Sequence, residues 1–147
     1  MSTVKAIYHI VINTRFRNMT IDEEHKRELY KYIYGIINEH NCKLLRMNGI
    51  ANHIHILLQL HPTVALSNLI HEIKRSSSIW MKSQRDKFPS FEGWGKEYAA
   101  FTCSFKDQAN IINYIKNQEI HHQITTFEDE MNKMSSENDC VFYDDGK

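Results

Sequence analysis

The stretch Asn52–Leu60, NHIHILLQL, decides how this chain folds. Its apolar run reads as a buried strand, and Pro62 closes it. Yet two of its positions are histidines, His53 and His55. Alternate residues of a strand share a face and stand roughly 6.5–7 Å apart. The two imidazoles therefore point one way, and Ile54 and Ile56 point the other. Taken alone, such a pair is either two half-exposed histidines on a solvent face or two neutral nitrogen donors for one divalent metal.

Working outward, Asn48-Gly49 is a tight-turn signal, because both residues tolerate positive φ. It joins a short strand over Cys42–Met47 to the strand that starts at Ile50, as an antiparallel hairpin. Val4–Thr14, VKAIYHIVINT, is rich in β-branched and aromatic residues and reads as the first strand. Thr20–Glu23, TIDE, has the form of a capping box and predicts a helix through about Asn41, with Leu29, Ile33, Ile36 and Ile37 on its apolar face. Val64 to about Gln84 repeats the pattern with Leu66, Leu69, Ile70 and Ile73. Lys87–Lys96, with its proline and two glycines, is a loop. Glu97–Phe105 is a fourth strand. Ser104–Asp107 caps a third helix running from about Asp107 to about His122, and Thr126–Asp129 caps a further short one. A polar, acidic tail from Ser135 to Lys147 is expected to fray, leaving one domain over residues 1–134.

The order β-α-β-β-α-β-α is the split βαβ, ferredoxin-like arrangement: an α+β fold with an antiparallel sheet and helices on one face. A length of 147 residues suits one such domain. Eighteen basic residues balance eighteen acidic ones, so bulk charge gives no support to nucleic-acid binding and any such contact must be local. Cys42, Cys103 and Cys140 form neither a disulfide framework nor a structural zinc pattern, which predicts a reduced, cytoplasmic setting. No run approaches the roughly 20 apolar residues of a membrane helix.

Two nucleotide-processing motifs fail on the histidine pair. A histidine-triad hydrolase needs a third histidine where Leu57 stands, and a two-histidine phosphoesterase needs a hydroxyl residue there and a second copy of the motif. The third helix, NIINYIKNQEIHH, offers something else. Tyr114 and Gln118 are four apart and share a face, with Ile111, Ile112 and Ile115 toward the core. Gln118 can offer an oxygen to a hard cation, and His122, four further on, competes for that role. Tyr114 would then lie one turn away as a phenol nucleophile, beside a metal that polarises a phosphodiester. An ordinary amphipathic helix with a half-buried tyrosine is the plainer reading.

With these residues together, the chain resembles the single-tyrosine transposases of the IS200/IS605 type, within the wider group of HUH endonucleases, and their domesticated relatives tied to repetitive palindromes. His53-Ile54-His55 matches the HUH motif and Tyr114-x-x-x-Gln118 the nucleophile helix. YHIVINTRFR from Tyr8, GWGKEYAAFTCS from Gly93 and the segment through FEDE ending at Glu130 extend the likeness over most of the chain. The resemblance implies a homodimer in which the tyrosine helix of one subunit completes the other's site. It implies His53, His55 and Gln118 as ligands of Mg²⁺ or Mn²⁺. It implies cleavage and rejoining of single-stranded DNA at hairpin-flanked ends through a 5′-phosphotyrosine link to Tyr114. For DNA contact the candidates are Arg15 and Arg17 after the first strand, and Lys74 and Arg75 before three serines on the second helix. Lys82, Arg85 and Lys87 continue that basic run, and Trp80 and Trp94 are candidate base-stacking residues. The rival readings are a domesticated repeat-associated nuclease with the same chemistry and a non-catalytic module that binds single-stranded nucleic acid.

Overall fold

The computed structural model describes residues 1–121, 126–138, 140 and 143. Four strands, β1 (Ala6–Asn13), β2 (Lys43–Ile50), β3 (His53–Leu60) and β4 (Ala99–Cys103), form one sheet in the order β2-β3-β1-β4. Every neighbouring pair is antiparallel. The helices are α1 (Lys26–Glu39), α2 (Leu66–Ser83), α3 (Gln108–Lys116), α4 (Gln118–His121) and α5 (Phe127–Glu137). This is the α+β, ferredoxin-like arrangement expected from the sequence.

Alternation along the strands divides the chain into two packed layers. Ile10 and Ile12 of β1 and Ile54, Ile56 and Leu58 of β3 face α1 and α2, whose Leu29, Ile33, Ile37, Leu69, Ile70 and Ile73 complete the main core. The intervening positions, Ile7 and Leu57, meet Ile115 of α3 in a second cluster. The third helix therefore covers the opposite face of the sheet, rather than joining α1 and α2 on one face. Two apolar sides on β1 and β3 make this possible, because the central strands need cover on both. His53 and His55 lie on the α3 side.

Several boundaries differ from the sequence reading, each for a visible reason. Gly49 is not in the turn: β2 continues to Ile50, and the hairpin closes through Ala51 and Asn52. A Cβ on Gly49 would stand 2.1 Å from the carbonyl oxygen of His53, so glycine is required by close approach of two strands. Asn48 uses its side-chain amide to hold the end of α3, donating to the carbonyls of Ile115 (3.1 Å) and Lys116 (3.2 Å). Thr20 does not cap α1; the helix starts at Lys26, and its approach is shaped by Asp22, whose Oδ1 accepts from the amide of Glu24 at 2.8 Å. The Ser104 and Thr126 caps are present, accepting from the amides of Asp107 and Asp129. The long third helix breaks at Asn117, leaving Tyr114 on α3 and Gln118 at the start of α4. α5 continues past Ser135 to Glu137; most of the expected tail beyond it lies outside the described residues.

The three cysteines are free, and among the described residues no helix is long and apolar enough to cross a membrane.

Candidate active site

The hairpin places both imidazoles on β3 under a roof made by α3, α4 and α5. His53, His55 and Gln118 are fully buried, and Glu130 of α5 is nearly so. Nε2 of His55 lies 2.9 Å from Oε1 of Glu130, and Nε2 of His53 lies 3.7 Å from the same oxygen. Nε2 of His53 is also 3.2 Å from Oε1 of Gln118. The ligand atoms of His53, His55 and Glu130 all fall within 4.8 Å of one another.

The outer nitrogens are fixed from behind. Nδ1 of His53 donates to Oδ1 of Asn52 at 2.8 Å. In the neutral ring this leaves the Nε2 lone pair facing two oxygens, Gln118 Oε1 and Glu130 Oε1, and lone pairs facing one another need a cation or a proton between them. Nδ1 of His55 shares a proton with Nε2 of His9 across 2.8 Å. His9 sits on β1, on the same face and diagonally across from His55. Burial, aided by the neighbouring His55, holds the His9 imidazole down to about 3, so it is neutral at physiological pH. Nitrogen and oxygen donors converging on one point, oriented by hydrogen bonds behind them, suit a divalent cation.

Tyr114 adjoins this set. Its ring meets those of His55 (centroids 5.8 Å apart) and His9 (6.2 Å) edge-on. Its hydroxyl approaches Sδ of Met134 at 3.9 Å. Burial pushes the phenol well above its ordinary range, and hydrogen bonding to Glu130 and the charge of that carboxylate push it the same way; the Gln118 side chain acts in the opposite sense. Phe127 closes one side, its ring 4.4 Å from that of His53.

Gln118 owes its place to a clamp at the helix break. Lys26, buried at the start of α1, reaches Glu119 (2.8 Å), Glu23 (2.9 Å) and the carbonyl of Gly49 (3.3 Å). Asn48 also donates to Glu119 at 3.2 Å. The Glu119 carboxyl is lowered despite its partial burial, through hydrogen bonds from Lys26 and Asn48. Residue 118 is thereby held against the β2–β3 hairpin.

Four residues singled out in the sequence thus meet: His53, His55, Tyr114 and Gln118. His122 lies outside the described residues. Glu130 and His9 are additions. His9 carried a faint signal, a lone histidine at an inward position of an apolar strand. Glu130 carried none, being one acid among three in the first turn of α5.

The basic candidates are scattered. Arg15 and Arg17 are exposed on a short turn after β1, with Arg17 3.9 Å from Glu128 and over the ring of Phe127. Lys74 donates to the carbonyls of Gly95 (2.9 Å) and Glu97 (2.8 Å), tying α2 to the loop before β4, while Arg75 is exposed. Arg85 serves the carbonyl of Phe91, and Lys87 pairs with Glu28. Trp80 stacks on Tyr32 at 4.9 Å, and Trp94 donates to Ser77 at 2.9 Å.

A buried histidine pair on an antiparallel sheet is thus faced by a tyrosine on a covering helix. The model of the IS200-like transposase family matches residues 2–118, and the chain belongs to that family. It is a DNA-processing enzyme of the transposase kind. Over 115 residues it is 29% identical to the transposase for insertion sequence element IS200 of Salmonella typhimurium, covering 76% of this chain and 75% of that one. It is 23% identical to the ISDra2 transposase TnpA of Deinococcus radiodurans, covering 76% and 82%. Among solved structures it is similar to a candidate transposase from Deinococcus radiodurans (TM-score 0.63, 25% identity, covering 80% of this chain and 93% of that chain). It also shares its fold with a REP-associated tyrosine transposase bound to a REP hairpin (TM-score 0.62, 15% identity, covering 83% and 72%). The match to the family ends at Gln118, so α5 and its Glu130 lie outside it.

Proposed function

We propose that this protein cleaves and rejoins single-stranded DNA through a 5′-phosphotyrosine link to Tyr114, at ends flanked by a hairpin, with Mg²⁺ or Mn²⁺ at the histidine pair. The observation that carries this reading is the convergence of His53 Nε2, His55 Nε2, Glu130 Oε1 and Gln118 Oε1 beside the Tyr114 phenol. These four residues would hold the ion. A bound divalent ion supplies Lewis-acid polarisation of the scissile phosphate.

The chain's own residues do the rest. The phenol oxygen of Tyr114 forms a bond to phosphorus, and the bond to the 3′ oxygen breaks. The products are a 5′-phosphotyrosine and a 3′-hydroxyl. The phenol proton has an acceptor at hand in the Glu130 carboxylate, whose nearness is among the causes that raise the phenol. That acceptor is needed because an ordinary phenol holds little phenolate at neutral pH. Reversal by the same or another 3′-hydroxyl reseals the strand without water or ATP, because the phosphotyrosine conserves the bond energy. His9 and Asn52 keep the two imidazoles in fixed orientation.

The partners in this reading are single-stranded DNA with a hairpin beside the cleavage site and a second copy of the chain. Hairpin binding is supported by the likeness in fold to a hairpin-bound transposase. Arg15 and Arg17 are the leading contacts for it, Lys74 and Arg75 the secondary ones. A domesticated enzyme would run the same chemistry. A non-catalytic binding module would have no use for buried donors converging on one point.

The test is a covalent protein–DNA band on a denaturing gel, using Mn²⁺ and single-stranded DNA from both flanks of the gene. The band should vanish in Tyr114→Phe and His55→Ala. A band surviving Tyr114→Phe would move the nucleophile elsewhere and end the mechanism.

A further inference from the structure

Between β1 and α1 the backbone does something costly. Phe16 and Arg17 both adopt left-handed conformations, at φ 56° and 57°. Non-glycine residues avoid this region, and each such residue costs on a scale that persists only where the surroundings over-determine it. Here they do. Thr14, fully buried, donates through Oγ1 to the carbonyl of Asn18 at 2.6 Å and, at 3.2 Å, to that of Asn52. Its own amide also donates to Asn52, its carbonyl accepts from Arg17, and the amide of Arg15 is held by Gly93.

What this strained turn presents is a phenylalanine that is 79% exposed, with an arginine on each side. The Arg15 guanidinium lies over its ring at 5.1 Å, which still leaves the side chain outside. Hydrophobic burial does not explain the conformation, because Phe16 buries almost nothing. The turn is also wired to the site. Asn52, which holds its base, orients His53, and Arg17 covers Phe127, whose ring rests on His53.

We propose that Phe16 is a binding residue for an unpaired nucleobase of the DNA strand, stacking on it while Arg15 and Arg17 take the flanking phosphates. The inference rests on the reading of the protein as a single-strand DNA enzyme and gives that reading a strand-holding element beside the catalytic residues. Aromatic stacking fits because every base has a π face, whereas a duplex offers none at its side. Arginine on both sides of an aromatic supplies cation–π contact and phosphate contact from one short turn.

The measurement is fluorescence anisotropy of the full chain with a labelled oligothymidylate of about 20 nucleotides and with a duplex of equal length. Phe16→Ala should raise Kd for the single strand about 5- to 100-fold and leave Kd for the duplex unchanged. Phe16→Trp should keep the affinity, and its added fluorescence should be quenched by the single strand. Phe16→Gly separates function from folding, since glycine takes the left-handed conformation freely: Tm should hold or rise while single-strand affinity falls. Equal Kd for the parent and Phe16→Ala, no single-strand binding by the parent, or loss of self-association in place of DNA affinity would each overturn the proposal. The covalent band at Tyr114 is scored separately on the parent chain, so failure of the chemistry and failure of the stacking site are distinguishable.

Discussion

Replacing Glu130 with glutamine tests the site at its least expected member. The change keeps the shape and an acceptor oxygen but removes the charge. Oε1 of Glu130 lies 2.9 Å from His55 Nε2 and 3.7 Å from His53 Nε2, within a donor set spanning 4.8 Å. An ion among these atoms sits no more than about 4 Å from that oxygen. At this distance a carboxylate and a dication attract by about 2 kcal/mol even with the full screening of water. The carboxylate is only 5% exposed, so screening is weaker and this figure is a floor. Glu130→Gln should therefore raise the Kd for Mn²⁺ at least about 30-fold. Titration calorimetry on the DNA-free protein measures this directly, and far-UV circular dichroism confirms that the variant is folded. A Kd within about threefold of the parent would refute the reasoning. Glu130 would then be a cover over the histidines and not a ligand, and the ion would rest on His53, His55 and Gln118.

Three further expectations follow from the same geometry. His9 is neutral in the fold at a pKa of about 3 against about 6.5 in the unfolded chain, so its stabilising contribution is present above pH 6.5 and fades as pH falls; the loss between pH 7 and 5 is about 2 kcal/mol, and His9→Gln should remove that share of the pH dependence in thermal melts. Glu119→Ala breaks the clamp on residue 118, leaving Lys26 with Glu23 and the Gly49 carbonyl; because Glu119 is exposed, it should cost no more than about 1 kcal/mol by urea denaturation and weaken Mn²⁺ binding, and because the Glu119 carboxyl is lowered in the fold, its contribution is full above the ordinary carboxylate range and is lost as pH falls through the lowered value. Gly49→Ala puts a methyl 2.1 Å from the His53 carbonyl oxygen, so strand β3 must shift; a loss of about 3 kcal/mol or more with loss of metal binding is expected, and a variant with unchanged Tm would show that the hairpin is looser than its contacts imply.

Local pattern was enough for the strands, the two long helices and the face shared by His53 and His55. A period of two or of 3.6 is written in neighbouring residues, and burial enforces it. It was also enough for the Ser104 and Thr126 caps, whose hydrogen bonds close within three residues. What the tertiary structure alone decided lies between residues far apart in the chain. Glu130 meets His55 across 75 positions and His9 meets it across 46, and no local periodicity encodes either approach. The Asn48-Gly49 pair had the composition of a turn, yet serves a close strand crossing and a helix end, because Cβ clearance and carbonyl satisfaction are set by the partner element and not by the dipeptide. Tyr114 and Gln118 share a helical face in the sequence, but the chain breaks between them, and the Lys26–Glu119–Asn48 clamp settles where Gln118 comes to rest. The histidine pair was thus legible because a strand's geometry is local. The carboxylate that completes its donor set was not, because Glu130 comes from α5, whose approach to β3 is written in no local pattern.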